Sequence, residues 1–257
     1  MEETVLITGA SGGIGLELAW LFARDGCRLL LTARNEERLM LLKQQMENTC
    51  LNVVDVLPLD LSEPGASEEL LRYIEEKKLF IGTLVNNAGF GDFGSFSDCD
   101  IKKQQEMIQL NISTLVRLTH GVLKLMQEQR KGKILNVASI ASFVPGPLMS
   151  VYYASKAFVL SFSEAIATEL KGSGITVTAL CPGPTETGFQ NRASLERSGL
   201  FHNLKVADAK SVAQYGYRAM KKGKLIAIPG FFNRLVPVAT RIVPRKLVRT
   251  VVRQIQK

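Results

Sequence analysis

No acidic residue follows Asp208. Residues 209–257 carry twelve Lys and Arg and therefore sum to +12. The first 208 residues hold 20 basic and 24 acidic side chains and sum to −4. The net +8 is thus confined to one end and calls for a partner or a covered face there. Cysteine is sparse too. Cys27, Cys50, Cys99 and Cys181 form no CxxC pair, and they read as small buried apolar residues in a reducing compartment. No run of 18 apolar residues occurs, so no membrane-crossing helix is expected. Met1-Glu2-Glu3-Thr4-Val5 has two acids and no basic stretch, unlike a secretory leader, and a cytoplasmic location is expected. Internal repeats, low-complexity stretches and long linkers are absent. With 46% hydrophobic and 22% charged residues in 257, the composition excludes a disordered or collagen-like chain.

Apolar runs punctuated by glycine and helical patterns alternate instead. Candidate strands are Thr4–Ile7, Arg28–Thr32, Asn52–Leu57, Thr83–Asn86, Lys133–Val137, Ile175–Leu180 and Leu225–Ile228. Their continuous apolar character suits strands buried on both faces of a parallel sheet. Ile14, Leu18, Leu21 and Phe22 recur at helical spacing, as do Leu39, Leu42 and Met46. Residues 66–78, 111–130, 152–171 and 208–222 also read as helices. Strand–helix alternation predicts an α/β fold in one domain: a doubly wound parallel sheet of about seven strands with helices on both faces. Residues 186–205 are long and aperiodic, and suggest a lid over a site.

Thr8-Gly9-Ala10-Ser11-Gly12-Gly13-Ile14-Gly15 joins the first strand to the first helix. Glycines let the backbone turn sharply and approach a ligand, and a helix N-terminus offers free N–H groups to a phosphate. The same residues also match the G-x-S-x-G turn of hydrolases, with Ser11 as nucleophile and His202 as its base. At the end of the second strand stand Ala33 and Arg34. A carboxylate there would select a ribose 2′-hydroxyl, whereas a guanidinium suits a 2′-phosphate. NADP(H) is therefore favoured over NAD(H), although Arg34 could instead pair with Glu36 or Glu37. Tyr152 and Lys156 lie four apart on a helix and share a face. A nearby ammonium favours the phenolate and would lower the tyrosine pKa from about 10. Tyr152 is thus a candidate general acid or base, and Ser139, ending the fifth strand, could hold a substrate oxygen.

Taken together, Thr8–Gly15, Asp60-Leu61, Asn86-Asn87-Ala88-Gly89, Asn111, Ser139, Tyr152–Lys156 and Pro182-Gly183 through Thr187 resemble the short-chain dehydrogenase/reductase family, in its order and spacing. Tyr152–Phe158 and Leu180–Thr185 look most like its bacterial DltE-like branch. The resemblance implies a Rossmann fold and a catalytic set of Asn111, Ser139, Tyr152 and Lys156. Tyr152 would exchange a proton with a carbonyl or alcohol oxygen that Ser139 binds. Lys156 would bind the nicotinamide ribose, and Asn111 would hold a water linking Lys156 to solvent. Cofactor contacts would come from Gly9, Ser11, Gly12, Gly13, Ile14, Gly15, Arg34, Asp60, Leu61, Asn87, Ala88, Gly89, Tyr152, Lys156, Pro182, Gly183, Thr185 and Thr187. Neither Gly12 nor Gly13 is basic, so Arg34 carries most of the NADP(H) selection and weaker NAD(H) use is expected. The resemblance also implies a homodimer or homotetramer and no metal.

Phe90, Phe93, Phe143, Pro145, Leu148, Phe189, Leu195 and Phe201 are candidate walls for an apolar ketone, aldehyde or alcohol. A cofactor-binding regulator without turnover is the alternative of another class. Past Pro244, Leu247, Val248, Val251, Val252 and Ile255 share one helical face, with Arg245, Lys246, Arg249, Arg253 and Lys257 largely elsewhere. The basic extension 231–257 fits either a subunit interface or the surface of an anionic membrane. Nucleic acid is not expected, because interleaved aromatics are lacking.

Overall fold

Alternation along each strand decides how the sheet is covered. In the computed structural model, which describes residues 3–188 and 206–256, β1 (Glu3–Thr8) turns Val5 and Ile7 to one face and Leu6 to the other. In β2 (Arg28–Ala33), Leu29 and Leu31 join the first face and Leu30 the second. Both faces are apolar, so both need helices. On the first lie α1 (Gly13–Arg24) and α2 (Glu36–Cys50), which bury Leu18, Phe22, Leu39 and Met46. After β3 (Val54–Pro58), α3 (Ala66–Glu76) crosses to the second face with Leu70 and Ile74. β4 (Phe80–Asn86) leads to α4 (Ile101–Ile108), a π-helical stretch Gln109–Thr114, and α5 (Leu115–Glu128). Then come β5 (Gly132–Val137), α6 (Ser150–Glu169) and β6 (Ile175–Leu180). Short strands β7 (Thr185–Glu186) and β8 (Ala207–Asp208) precede α7 (Ala209–Lys221), which returns to the first face, and β9 (Ile226–Ala227). Helices α8 (Val236–Ile242) and α9 (Arg245–Gln256) follow.

The main sheet runs β3-β2-β1-β4-β5-β6-β9, with every pairing parallel. This is the doubly wound α/β fold expected from strand–helix alternation. The chain winds outward from β1 in one direction and from β4 in the other. The loops leaving these two strands therefore part at the carboxyl ends, where such sheets bind ligands.

Some expectations need correction. The helix expected over 111–130 begins ten residues earlier, at Ile101, where the Asp100 carboxylate accepts the Lys102 N–H and caps it. Of the four cysteines, only Cys181 is buried; Cys27, Cys50 and Cys99 are partly exposed. The suggested lid lies mostly outside the described residues. Its two flanks are tied together, because Thr185 pairs with Ala207 and Glu186 with Asp208. Among the described residues, no helix is long and apolar enough to cross a membrane.

Candidate active site

The loop after β1 is pinned to the loop after β4. The Asn87 amide donates to the carbonyls of Thr8 and Gly9, at 2.9 and 3.1 Å, and the Thr8 hydroxyl accepts the backbone N–H groups of Asn87 and Ala88. Three glycines of the turn answer to this packing. Gly9 has φ +67°, and a Cβ there would stand 2.8 Å from the Asn87 amide. Gly13 has φ +55° and abuts Thr187. A Cβ on Gly15 would meet the Gly9 carbonyl oxygen at 2.4 Å. Gly12 differs: no atom of the described residues lies within 4 Å of where its Cβ would be, and it lines an open cleft of about 600 Å³. Gly12 also caps α1 without any side-chain hydrogen bond, and the first turn of α1 holds no acid. Its N–H groups thus remain available to an anion, and the absent side chain leaves room for it. An NADP(H) pyrophosphate fits this cradle.

The same cleft reaches the carboxyl ends of β5 and β6 and the start of α6. Helix α6 opens at Ser150, so Tyr152 and Lys156 fall within its first two turns and face the cleft together. The Lys156 Nζ lies 5.9 Å from the Tyr152 ring centre and donates to the Val137 carbonyl at 2.8 Å. The Tyr152 phenol is hydrogen-bonded to Ser139. Ser139 is itself held at the end of β5, its hydroxyl accepting the Ala141 N–H at 3.1 Å. One wall therefore carries a serine, a tyrosine and a lysine in mutual reach, and the opposite rim carries an anion cradle.

The short chain dehydrogenase family model matches residues 3–198. The chain belongs to the short-chain dehydrogenase family. Sulfoacetaldehyde reductase 2 of Chromohalobacter salexigens is 38% identical over 191 residues, which cover 74% of this chain and 75% of that protein. The 17-beta-hydroxysteroid dehydrogenase type 3 of Mus musculus is 36% identical over 184 residues, which cover 71% of this chain and 60% of that protein. The chain thus spans about 60% of the length of that relative and of its Rattus norvegicus counterpart. Among solved structures, a short-chain dehydrogenase from Sphingobium yanoikuyae in complex with NADPH matches with a TM-score of 0.84 at 33% identity, over 93% of this chain and 92% of that one. The bulky-bulky ketone specific alcohol dehydrogenase from Comamonas testosteroni matches with a TM-score of 0.79 at 29% identity, over 93% of each chain.

In this short-chain dehydrogenase, nearly all the residues expected to form the site line one cleft. Gly9, Ser11, Gly12, Gly13, Ile14, Arg34, Asp60, Leu61, Asn87, Ala88, Gly89, Ser139, Tyr152, Lys156, Pro182, Gly183, Thr185 and Thr187 all do so. Gly15 and Asn111 stand behind its wall. Asn111 sits in the π-helical stretch, where the extra residue per turn directs it inward. Its amide donates to the Phe90 carbonyl and to the Ser155 hydroxyl, each at 3.0 Å. A Cβ on Gly89 would stand 3.0 Å from the Asn111 Oδ1 and 3.5 Å from the Lys156 Nζ. The bare glycine is what lets Asn111 and Lys156 approach each other.

Arg34 pairs with neither Glu36 nor Glu37. Its guanidinium lies 3.4 Å from the Asp60 carboxylate; Arg34 is exposed and Asp60 is partly buried. Burial pushes Asp60 up, but hydrogen bonds from the Ser62 hydroxyl and N–H, together with Arg34, outweigh it and hold the carboxyl below its ordinary value. Arg38, one turn into α2, lines the same end of the cleft. The sequence reading missed it. Its signal was a second guanidinium four residues after Arg34.

Two expectations about electrostatics and walls change. The Tyr152 phenol is raised above its ordinary pKa, not lowered, because burial outweighs the hydrogen bond with Ser139. The phenol is therefore protonated at neutral pH. Burial likewise pushes the Lys156 ammonium down to about 8. Of the proposed apolar walls, Phe90 is buried in the core, Phe93 packs beneath Tyr153 and Met149, and Phe143 packs against Val159 and Cys181. Pro145 is absent from the cleft lining, and Leu148 lines a different groove. Phe189, Leu195 and Phe201 lie outside the described residues, as does His202. The described walls near Tyr152 are Ile140, Ala141, Met149 and Tyr153.

The Lys156 shift makes a prediction about stability. Between pH 8 and the ordinary lysine value of 10.5, the unfolded chain binds more protons at this position than the folded one. Stability contributed by this site therefore rises with pH across that window. In paired thermal melts, wild type should gain on a Lys156→Met variant as pH climbs from 8 to 10. A gap that stays constant or moves the other way contradicts the buried-ammonium reading.

Proposed function

We propose that the chain is an NADP(H)-dependent oxidoreductase that interconverts a carbonyl and an alcohol on an apolar substrate, with Tyr152 as the general acid or base. The observation that carries this reading is the Ser139–Tyr152–Lys156 wall facing, across one cleft, an uncapped helix N-terminus. When bound, the nicotinamide supplies or accepts the hydride. The N–H groups at Gly12, Gly13 and Ile14 would hold the pyrophosphate, Arg34 and Arg38 the 2′-phosphate, and Asp60 and Leu61 the adenine. Asn87, Ala88 and Gly89 would border the cofactor on one side, and Pro182, Gly183, Thr185 and Thr187 on the other. Lys156 would bind ribose hydroxyls, with the Val137 carbonyl fixing its ammonium.

Ser139 positions the substrate oxygen, and the Tyr152 Oη gives it a proton in reduction or takes one in oxidation. Asn111 would hold a water next to Lys156 through which Tyr152 regains its proton from solvent in reduction and releases it in oxidation.

The substrate class follows from the described walls. Ile140, Ala141, Met149 and Tyr153 are uncharged, and among the described residues Arg34, Arg38 and Asp60 lie toward the other end of the cleft, by α2. A ketone or aldehyde without a carboxylate, sulfonate or phosphate fits such walls. Relatives named for hydroxysteroid and ketone chemistry support an apolar substrate, whereas the sulfoacetaldehyde reductase is named for a sulfonate-bearing aldehyde, so an aldehyde carrying a sulfonate belongs in the same substrate screen. Assembly as a homodimer or homotetramer and a cytoplasmic location are part of the same proposal.

Fluorescence titration of the purified protein tests the cofactor half. Tighter binding of NADPH than NADH is expected. A preference for NADH removes the phosphate role of Arg34, and binding of neither overturns the oxidoreductase reading.

A further inference from the structure

Half of the large hydrophobic side chains exposed among the described residues, eight of sixteen, fall between Phe231 and Val251. Phe231 and Phe232 are 71% and 81% exposed and meet edge to face. Ile242 on α8, and Leu247 and Val251 one turn apart on α9, are also open to solvent. Scattered exposed apolar residues need no explanation, but a concentration like this one marks an interaction surface.

The charges around it are of one sign. Residues 231–257 hold seven Lys and Arg and no acid. Arg234 is engaged with the Ile228 carbonyl and the Tyr215 hydroxyl. Arg241, Arg245, Lys246, Arg249 and Arg253 have no ion pair among the described residues. Three of these, Lys246, Arg249 and Arg253, line a second groove of about 470 Å³, which Phe96, Pro147 and Leu148 face from the other side. Among the described residues, no carboxylate lines it.

This charge pattern decides the occupant. A second copy docked by a twofold axis would set the same cations against themselves, which is unfavourable. The partner must be anionic, and it must also accept bulky apolar groups. A bilayer surface containing anionic lipid offers both: phosphates for the cations and acyl chains for the two phenylalanines. We propose that the segment from Phe231 to Gln256 is a docking surface for an anionic lipid bilayer, with lipid phosphates entering the groove of Lys246, Arg249 and Arg253.

The opposite face of α9 belongs to the active-site region. Val252 packs beside Met149 and Tyr153, and the fully buried Gln256 donates to the Tyr153 hydroxyl at 2.8 Å. The surface that meets lipid is thus the outer side of the element that backs the substrate end of the cleft. A docked protein would hold that end close to apolar compounds dissolved in the membrane.

Co-sedimentation of the full-length protein with vesicles tests the proposal. It needs no cofactor, so its failure is separable from failure of the oxidoreductase reading. Vesicles of phosphatidylcholine with phosphatidylglycerol should bind the protein, and pure phosphatidylcholine should not. Lys246→Gln/Arg249→Gln/Arg253→Gln should weaken binding by about 10²-fold, because each cation contributes separately near an anionic surface. Phe231→Ser/Phe232→Ser should weaken it as well. Both variants should melt at the wild-type temperature, since the changed side chains are solvent-exposed. Three results overturn the proposal: equal binding to both vesicle types, binding unaffected by either variant, or no binding to the anionic vesicles, which with a lower oligomeric mass for the phenylalanine variant in light scattering would assign the surface to a subunit interface. A fourth is inorganic phosphate protecting wild type, but not the triple variant, while both sediment equally with vesicles. That outcome would assign the groove to a free anion.

Discussion

Replacing Tyr152 with phenylalanine is expected to lower kcat for an accepted ketone by about 10²- to 10⁴-fold, the usual scale for losing a general acid. NADPH binding should be nearly unchanged. The substitution removes one oxygen and keeps the ring that packs at right angles to Tyr153. Lys156 keeps its bond to the Val137 carbonyl, and the glycine turn is untouched. What disappears is the proton that Ser139 and Tyr152 together offer to the substrate oxygen. Phenylalanine lacks both that proton and the hydrogen bond to Ser139. The loss should therefore fall on kcat, with the dissociation constant for NADPH acting as an internal control of folding. Unchanged turnover would leave the alternative of a cofactor-binding regulator, because a binder has no use for the phenol. The check is steady-state kinetics beside a fluorescence titration on the same preparation.

A charge reversal at Arg34 is expected to produce the second large effect. Arg34→Glu should weaken NADPH binding by about 10²-fold, and NADH far less, since a charge-assisted hydrogen bond contributes roughly 1.5–3 kcal/mol. Two features of the site set the size. Arg34 is more than half exposed and already shares its charge with Asp60, which limits what it contributes to a phosphate. Reversing it, however, places a new carboxylate beside Asp60, and the two would repel a 2′-phosphate together. Arg38→Ala should cost less, because Arg38 only borders the same end of the cleft. An equal loss of affinity for NADPH and NADH in the Arg34 variant would refute its role in phosphate selection.

Those parts of the fold that rest on short-range pattern were legible in the sequence. All seven strands of the main sheet occupy the runs that apolar periodicity marks, and the glycine turn lies where the first strand meets the first helix. The paired Tyr152 and Lys156 needed only helical spacing. Features set by long-range packing were not legible. Nothing local distinguishes Phe90, which is buried in the core, from a residue facing a ligand. The π-helical stretch that turns Asn111 inward has no composition of its own. The raised Tyr152 phenol reflects enclosure by groups distant in sequence, whose effect outweighs the hydrogen bond with Ser139. Tyr153 does not share the Tyr152–Lys156 face in the helical spacing, yet it also borders the cleft and is held by Gln256, 103 residues later. Helix α8 carries a local signal in the sequence, the proline at its start.

The central claim is that this chain moves hydride between NADP(H) and a carbonyl, with Tyr152 supplying the proton. The most direct test incubates the purified protein with NADPH and a panel of apolar ketones and aldehydes, following cofactor oxidation and product together. The account predicts alcohol formed in equal amount to NADPH consumed for at least one apolar ketone, with that turnover lost in Tyr152→Phe. Turnover that persists in Tyr152→Phe would contradict it, as would NADPH left unoxidised across the whole panel.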